Sequence, residues 1–192
     1  MSSLKSTDIL VRAMRTPNPN AIKFVVNFPL KTQGHATFTS SEECADWPLF
    51  SDMFSLQGVE QIYVFENQLT TTHSEFPDFE NLTPQMESII KTRGAAHDPN
   101  FKPAGEKEEK RDLSRLPAPL REVEEVLDRT IRPGLQADGG DIEVLSFEGN
   151  TVKISYQGAC GGCPSSYMGT LEAIENILRH ELKNEKLEVY PV

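Results

Sequence analysis

A stretch of mixed charge and chain-breaking residues, His97 to Leu116 (HDPNFKPAGEKEEKRDLSRL), most limits what this chain can become. It carries Pro99, Pro103 and Gly105, then the run Glu106-Lys107-Glu108-Glu109-Lys110-Arg111-Asp112, and presents no apolar face to bury. The sequence on either side keeps a hydrophobic rhythm. The expectation is therefore two small domains, 1–97 and 117–192, separated by a charged linker over 98–116. A length of 192 residues accommodates two such units. With 38% hydrophobic and 25% charged residues, each half has the apolar content to form a core.

The charge excludes one class of function. The formal net charge is −10, divided as −5 before residue 101, +1 over 101–116 and −6 from 117 onward. Both expected domains are acidic, so neither offers the basic footprint of a nucleic-acid binder. An acidic surface repels phosphate backbones and favours basic partners. No apolar run approaches the roughly 20 residues of a membrane helix. The first residues include Lys5, Arg12 and Arg15 but no apolar signal-peptide core, and Asp8 interrupts the positive stretch. These features place the expected location in the cytoplasm. Three cysteines in a chain this long do not make a disulfide framework, and a close pair in a reducing compartment reads as a metal or redox site.

The first half predicts a β-rich α+β domain. Strands are expected at Ile9–Ala13, Ala21–Phe28 and His35–Thr39, with turn chemistry at Pro17-Asn18-Pro19-Asn20. A short helix is expected at Asp46–Phe54, where Trp47, Leu49, Phe50 and Phe54 share an apolar stripe. A hairpin, Val59–Phe65 and Gln68–His73, turns at Glu66-Asn67. A helix at Leu82–Arg93 is expected to take Thr83 as its cap and Pro84 at its first position.

The second half predicts the order α-β-β-α-β, helices on one face of a small sheet. Leu120, Val123, Leu127 and Ile131 recur at helical spacing over Pro119–Arg132, and Pro133-Gly134 is expected to stop that helix. Asp138-Gly139-Gly140-Asp141 reads as a tight turn into Ile142–Phe147. Glu148-Gly149-Asn150 then turns the chain into Thr151–Tyr156. Tyr167, Met168, Leu171, Ile174, Leu178 and Leu182 trace one face of a helix from Pro164 to about Lys183, before a last strand at Leu187–Tyr190. The overall expectation is an α+β chain of two small domains.

The chemistry concentrates in Gln157-Gly158-Ala159-Cys160-Gly161-Gly162-Cys163-Pro164-Ser165-Ser166, between a strand and a helix. The spacing of Cys160 and Cys163 lets two sulfurs converge on one metal centre. Gly158, Gly161 and Gly162 allow backbone angles that other residues resist and leave room beside the sulfurs. Pro164 suits a first helical turn, which puts Cys163 at the positive end of the helix dipole, where the thiolate is favoured. Two sulfurs are half a site, since zinc and the common iron–sulfur clusters take four ligands. Cys44 lies across the linker and reads as a buried small residue. His35, His73, His97 and His180 are scattered and read as ordinary surface or strand residues. The economical arrangement is symmetric, two chains each donating Cys160 and Cys163 across a two-fold axis.

The run Arg132-Pro133-Gly134-Leu135-Gln136-Ala137-Asp138-Gly139-Gly140-Asp141, followed by the Cys160–Cys163 motif, resembles the C-terminal domain of NifU, the Nfu-type scaffold family. Residues 17–26, with Gly58-Val59 and the hairpin after them, resemble the N-terminal domain of Nfu proteins. The resemblance implies that Cys160 and Cys163 bind a [4Fe–4S] cluster bridging the two chains of a homodimer; related domains also hold [2Fe–2S] forms. It further implies that the cluster comes from assembly machinery and passes to apo-proteins, the work of a carrier rather than an enzyme. Two rivals share the cysteine spacing. A thiol–disulfide oxidoreductase uses the same motif, but only one helix and one short strand follow Cys163, too few for a thioredoxin-like fold. A structural zinc-bridged dimer differs only in its metal.

Overall fold

A computed structural model describes residues 5–74, 77–103, 113, 116–161 and 164–192. Two sheets, each with its own apolar core, follow from the two hydrophobic halves. The first is five-stranded, in the order β1-β2-β5-β4-β3, and every pairing in it is antiparallel. Its strands are β1 (Val11–Arg15), β2 (Ala21–Val26), β3 (His35–Phe38), β4 (Val59–Phe65) and β5 (Gln68–His73). Helices α1 (Pro48–Phe54) and α2 (Phe79–Gly94) cover one face. That face carries Ile22 and Phe24 of β2, Ile62 and Val64 of β4 and Leu69 of β5, packed against Phe50, Met53, Met86 and Ile90.

The expected helix at Leu82–Arg93 begins earlier, because Asp78 caps it by accepting a hydrogen bond from the Asn81 amide. Pro84 thus lies inside α2 instead of opening it. The carbonyl that the Pro84 nitrogen cannot serve belongs to Glu80, an exposed residue, which limits the cost. Packing onto the first core also reaches into the stretch expected as linker. Phe101 is buried against Trp47 and Phe50, and its carbonyl accepts from Lys31 Nζ at 2.6 Å. The charge run 106–112 lies outside the described residues.

The second sheet has the order β6-β7-β8, with β6 (Gly140–Glu148) antiparallel to β7 (Thr151–Gly158) and β7 parallel to β8 (Glu188–Pro191). Helices α3 (Ala118–Thr130) and α5 (Pro164–Glu181) supply Val123, Leu127, Ile174 and Leu178 to a core with Ile142, Val152 and Ile154. The expected stop at Pro133-Gly134 is a kink: the chain resumes as α4 (Arg132–Ala137) with Pro133 in its first turn, where a missing N–H costs nothing. The α-β-β-α-β order holds, with α4 added. No helix among the described residues is long and apolar enough to cross a membrane.

β2 is buried on both faces. Its second face belongs to a cross-strand row, Lys23, Thr70, Tyr63 and Thr37, which are register partners on β2, β5, β4 and β3. The second domain sits on this row.

Candidate functional site

β7 ends at Gly158, whose φ of +59° is left-handed, and the chain then turns through Ala159, Cys160 and Gly161. The Gly161 amide closes the turn on the Gly158 carbonyl at 3.0 Å. Gly158 pairs with Gly140 across the β6–β7 ladder, and the Ala159 amide donates to the Gly139 carbonyl at 3.1 Å. Side chains are excluded from this crossing. A Cβ on Gly140 would collide with Cys160 Sγ, and one on Gly158 would stand 2.9 Å from the Tyr63 ring. The Asp138–Asp141 run is thus more than a turn into a strand, because Gly140 lies under Cys160 and the Gly139 carbonyl holds the Ala159 amide.

Asp141 anchors this crossing. Its carboxylate accepts from Arg132 Nε at 2.9 Å, from its neighbour's amide on Ile142 at 2.7 Å and from Gln136 Nε2 at 3.2 Å. Arg132 is buried and spreads its guanidinium over Glu124 (2.8 Å), Asp128 and the Ile142 carbonyl (3.1 Å). An arginine fork with this many acceptors is directional as well as strong. Sequence reasoning missed this hub. Its available signal was the four-residue spacing of Glu124, Asp128 and Arg132, which aligns them on one side of a helix.

The first domain completes the surroundings. Asn18, in the β1–β2 turn and 1% exposed, donates from Nδ2 to the carbonyls of Ala159 (3.1 Å) and Gly161 (3.2 Å), on either side of Cys160. Tyr63 OH reaches Asp141 Oδ2 at 3.2 Å, Thr37 Oγ1 donates to Gln157 Oε1 at 2.7 Å, and Lys23 Nζ donates to the Ala137 carbonyl. Burial lowers the Lys23 pKa, partly opposed by Asp138. Cys160 itself is buried, with 6% of its surface exposed.

Cys163 and Gly162 lie outside the described residues; Pro164, directly after them, opens α5 as expected. Cys44 is fully buried in a short 3₁₀ turn (Glu42–Cys44) far along the chain, and burial pushes its thiol up to about 11. It is a core residue. Three of the histidines fit the expectation of surface or strand residues, and His97, beyond the end of α2, departs from it. His73 is buried in β5, and half-buried His97 donates from Nε2 to the Leu30 carbonyl (2.7 Å) with its ring edge-on to Phe50. His180 is on the surface and His35 is half-buried in β3. Among the described residues, no group of three or more His, Cys, Asp or Glu side chains gathers to hold a metal ion.

Known proteins supply the context. Residues 123–189 match the NifU-like domain, and residues 11–97 match the N-terminal domain of the scaffold proteins Nfu and NifU. Two relatives from Arabidopsis thaliana, the mitochondrial NifU-like proteins 5 and 4, are each 31% identical over 185 residues. The alignments cover 93% of this chain and 66% and 64% of those proteins. The mitochondrial NFU1 iron-sulfur cluster scaffold homolog of Drosophila persimilis is 27% identical over 93% of this chain and 64% of its own length. The chain therefore spans just under two thirds of the length of these relatives.

Proposed function

This chain belongs to the NifU-like family in its two-domain Nfu form, and we propose that it carries an iron–sulfur cluster between assembly machinery and apo-protein acceptors. The observation that supports this most is the turn at Gly158–Gly161, which places Cys160 over the glycine backbone of Gly140 between β7 and α5. Thiolates at this spacing are soft ligands suited to iron–sulfur centres. With two sulfurs per chain, Cys160 and Cys163, four ligands require a homodimer, and the proposed cargo is a [4Fe–4S] cluster on the two-fold axis.

Delivery is ligand exchange. An acceptor thiol gives its proton to solvent and forms an iron–sulfur bond as the bond to Cys160 or Cys163 breaks, and the released thiolate takes up a proton. No electron changes hands, and no acid–base or nucleophilic constellation is needed, so the protein acts as a carrier. Cysteines kept as thiolates require a reducing compartment. The sequence reading proposes the cytoplasm, and fractionation of cells expressing the chain decides between that and the mitochondrial matrix.

Anaerobic reconstitution with iron and sulfide, followed by size exclusion and metal analysis, tests the reading. A coloured dimer with about two iron atoms per chain is expected. Cys160→Ala and Cys163→Ala should each abolish loading, whereas Cys44→Ala should load normally. Uptake of zinc alone, or a colourless monomer active in insulin reduction, would replace the proposal with one of the two rivals.

A further inference from the structure

The domain that holds no ligand cysteine nevertheless grips the backbone on both sides of Cys160. The contact is made by one face of the five-stranded sheet, through residues spread over four strands and a turn. Lys23 and Thr70 flank Gly139, Tyr63 lies against Gly158 and Asp141, Thr37 meets Gln157, and Thr72 Oγ1 reaches the Gly158 carbonyl at 3.5 Å. Asn18 stands apart from this row because it touches the cysteine turn on both sides. Its amide nitrogen binds the two carbonyls that bracket Cys160, while its Oδ1 accepts from the Asn20 amide at 2.9 Å. One end of the side chain thus fixes the β1–β2 turn and the other fixes the loop.

We propose that the N-terminal domain is an intramolecular clamp on the cysteine turn, with Asn18 as the positioning residue that holds the turn's backbone and shelters the Cys160 thiol until the clamp opens. The interface is suited to opening. It is largely polar, as transient domain contacts are. Two atoms in it, Gln61 Oε1 near Gly161 and Thr70 Oγ1 beside Gly139, are buried without a hydrogen-bond partner among the described residues. Undocking returns both to water, which offsets part of the cost of breaking the Asn18 and Tyr63 bonds. In this proposal a second chain, or an acceptor, engages Cys160 only once Asn18 has released the two carbonyls that bracket it. The clamp rests on the carrier reading for its biological meaning but not for its test.

The test is the rate at which N-ethylmaleimide modifies Cys160 in the metal-free full chain, followed by fragment-ion mass spectrometry, with Cys44 as the internal control. Asn18→Asp keeps the oxygen that binds the Asn20 amide but turns the donor into an oxygen facing two carbonyls. It should accelerate Cys160 modification about tenfold while leaving Cys44 unchanged. Asn18→Ala should do the same to a smaller degree. An unchanged Cys160 rate in Asn18→Asp would overturn the clamp. So would equal acceleration at Cys44, since that would mean general loosening of the first core. Because no iron is present, failure of the carrier reading would show only in the reconstitution and would leave this result standing.

Discussion

The two domains solve the same problem of burying a small sheet by different means. The first core contains an aromatic cluster: Phe38, Phe50, Phe101 and Trp47 pack with centroids 5.1–6.1 Å apart. The second core is aliphatic in its buried cluster, and beside it lies the Arg132 hub with Glu124, Asp128 and Asp141. Ring packing supplies much apolar area with only modest orientational energy per pair, while an arginine fork supplies strong charge-assisted direction. The domain that must hold one turn in one place is the one that spends charged groups on it, and Asp141 sits next to the glycine under Cys160. Directional bonds are concentrated where position matters, and apolar area where only stability does.

Reciprocal truncations test that contrast most strongly. Arg132→Ala takes the guanidinium away from the buried carboxylates of Glu124 and Asp141 and should cost the second domain about 3–5 kcal/mol. Phe50→Ala should cost the first domain about 3–5 kcal/mol through its cavity. Fluorescence of Trp47, the single tryptophan, follows the first domain, and hydrogen exchange of β7 follows the second. A variant that lowers both readouts equally would mean that the cores are not independent.

Mild acid should separate the domains next. Burial lowers the pKa of both His73 and His97, so the folded first domain refuses protons that the unfolded chain accepts. The unfolded form then binds more protons below its ordinary histidine pKa, about 6.5. Stability from these residues is complete above that value and is lost as pH falls through it towards the folded pKa. Thermal melts followed by Trp47 should therefore shift down between about pH 7.5 and 5.5. The second domain contains neither of these two histidines and should hardly move over the same range. The smallest effect is expected at Gly149. Its φ is +64° with open space around it, so Gly149→Ala should cost the second domain only about 1 kcal/mol of backbone strain. A larger loss in denaturant melts would show that the β6–β7 turn is packed in solution.

The hairpin of β4 and β5 was legible to the residue, because alternating β-formers and a two-residue turn state their limits locally. Helix ends were less so. Pro84 and Pro133 carry the same local signal whether a helix starts, stops or bends there, and it was the Asp78 cap and the Ile131 bend that decided. The cysteine turn was readable because its glycines and spacing lie together in sequence. Its supports were not. Glu124 and Arg132 resemble solvated charges on an exposed helix face, and Asn18 resembles ordinary turn chemistry. Only the fold brings Asn18 to a turn 141 residues away, and only the fold turns a threonine-rich strand face into a contact.

That separation along the chain has a consequence for synthesis. Domains of a growing chain fold in order from the N-terminus, and the first core is complete once Phe101 has emerged. The cysteines follow some sixty residues later. The surface that receives them is then already built. Joining ends so distant adds little to the entropy cost of closure, since that cost grows only with the logarithm of loop length. A newly made Cys160 thus leaves the ribosome with its shelter already folded, and its exposure to oxidants and stray metals is limited to the time the second domain takes to fold and dock.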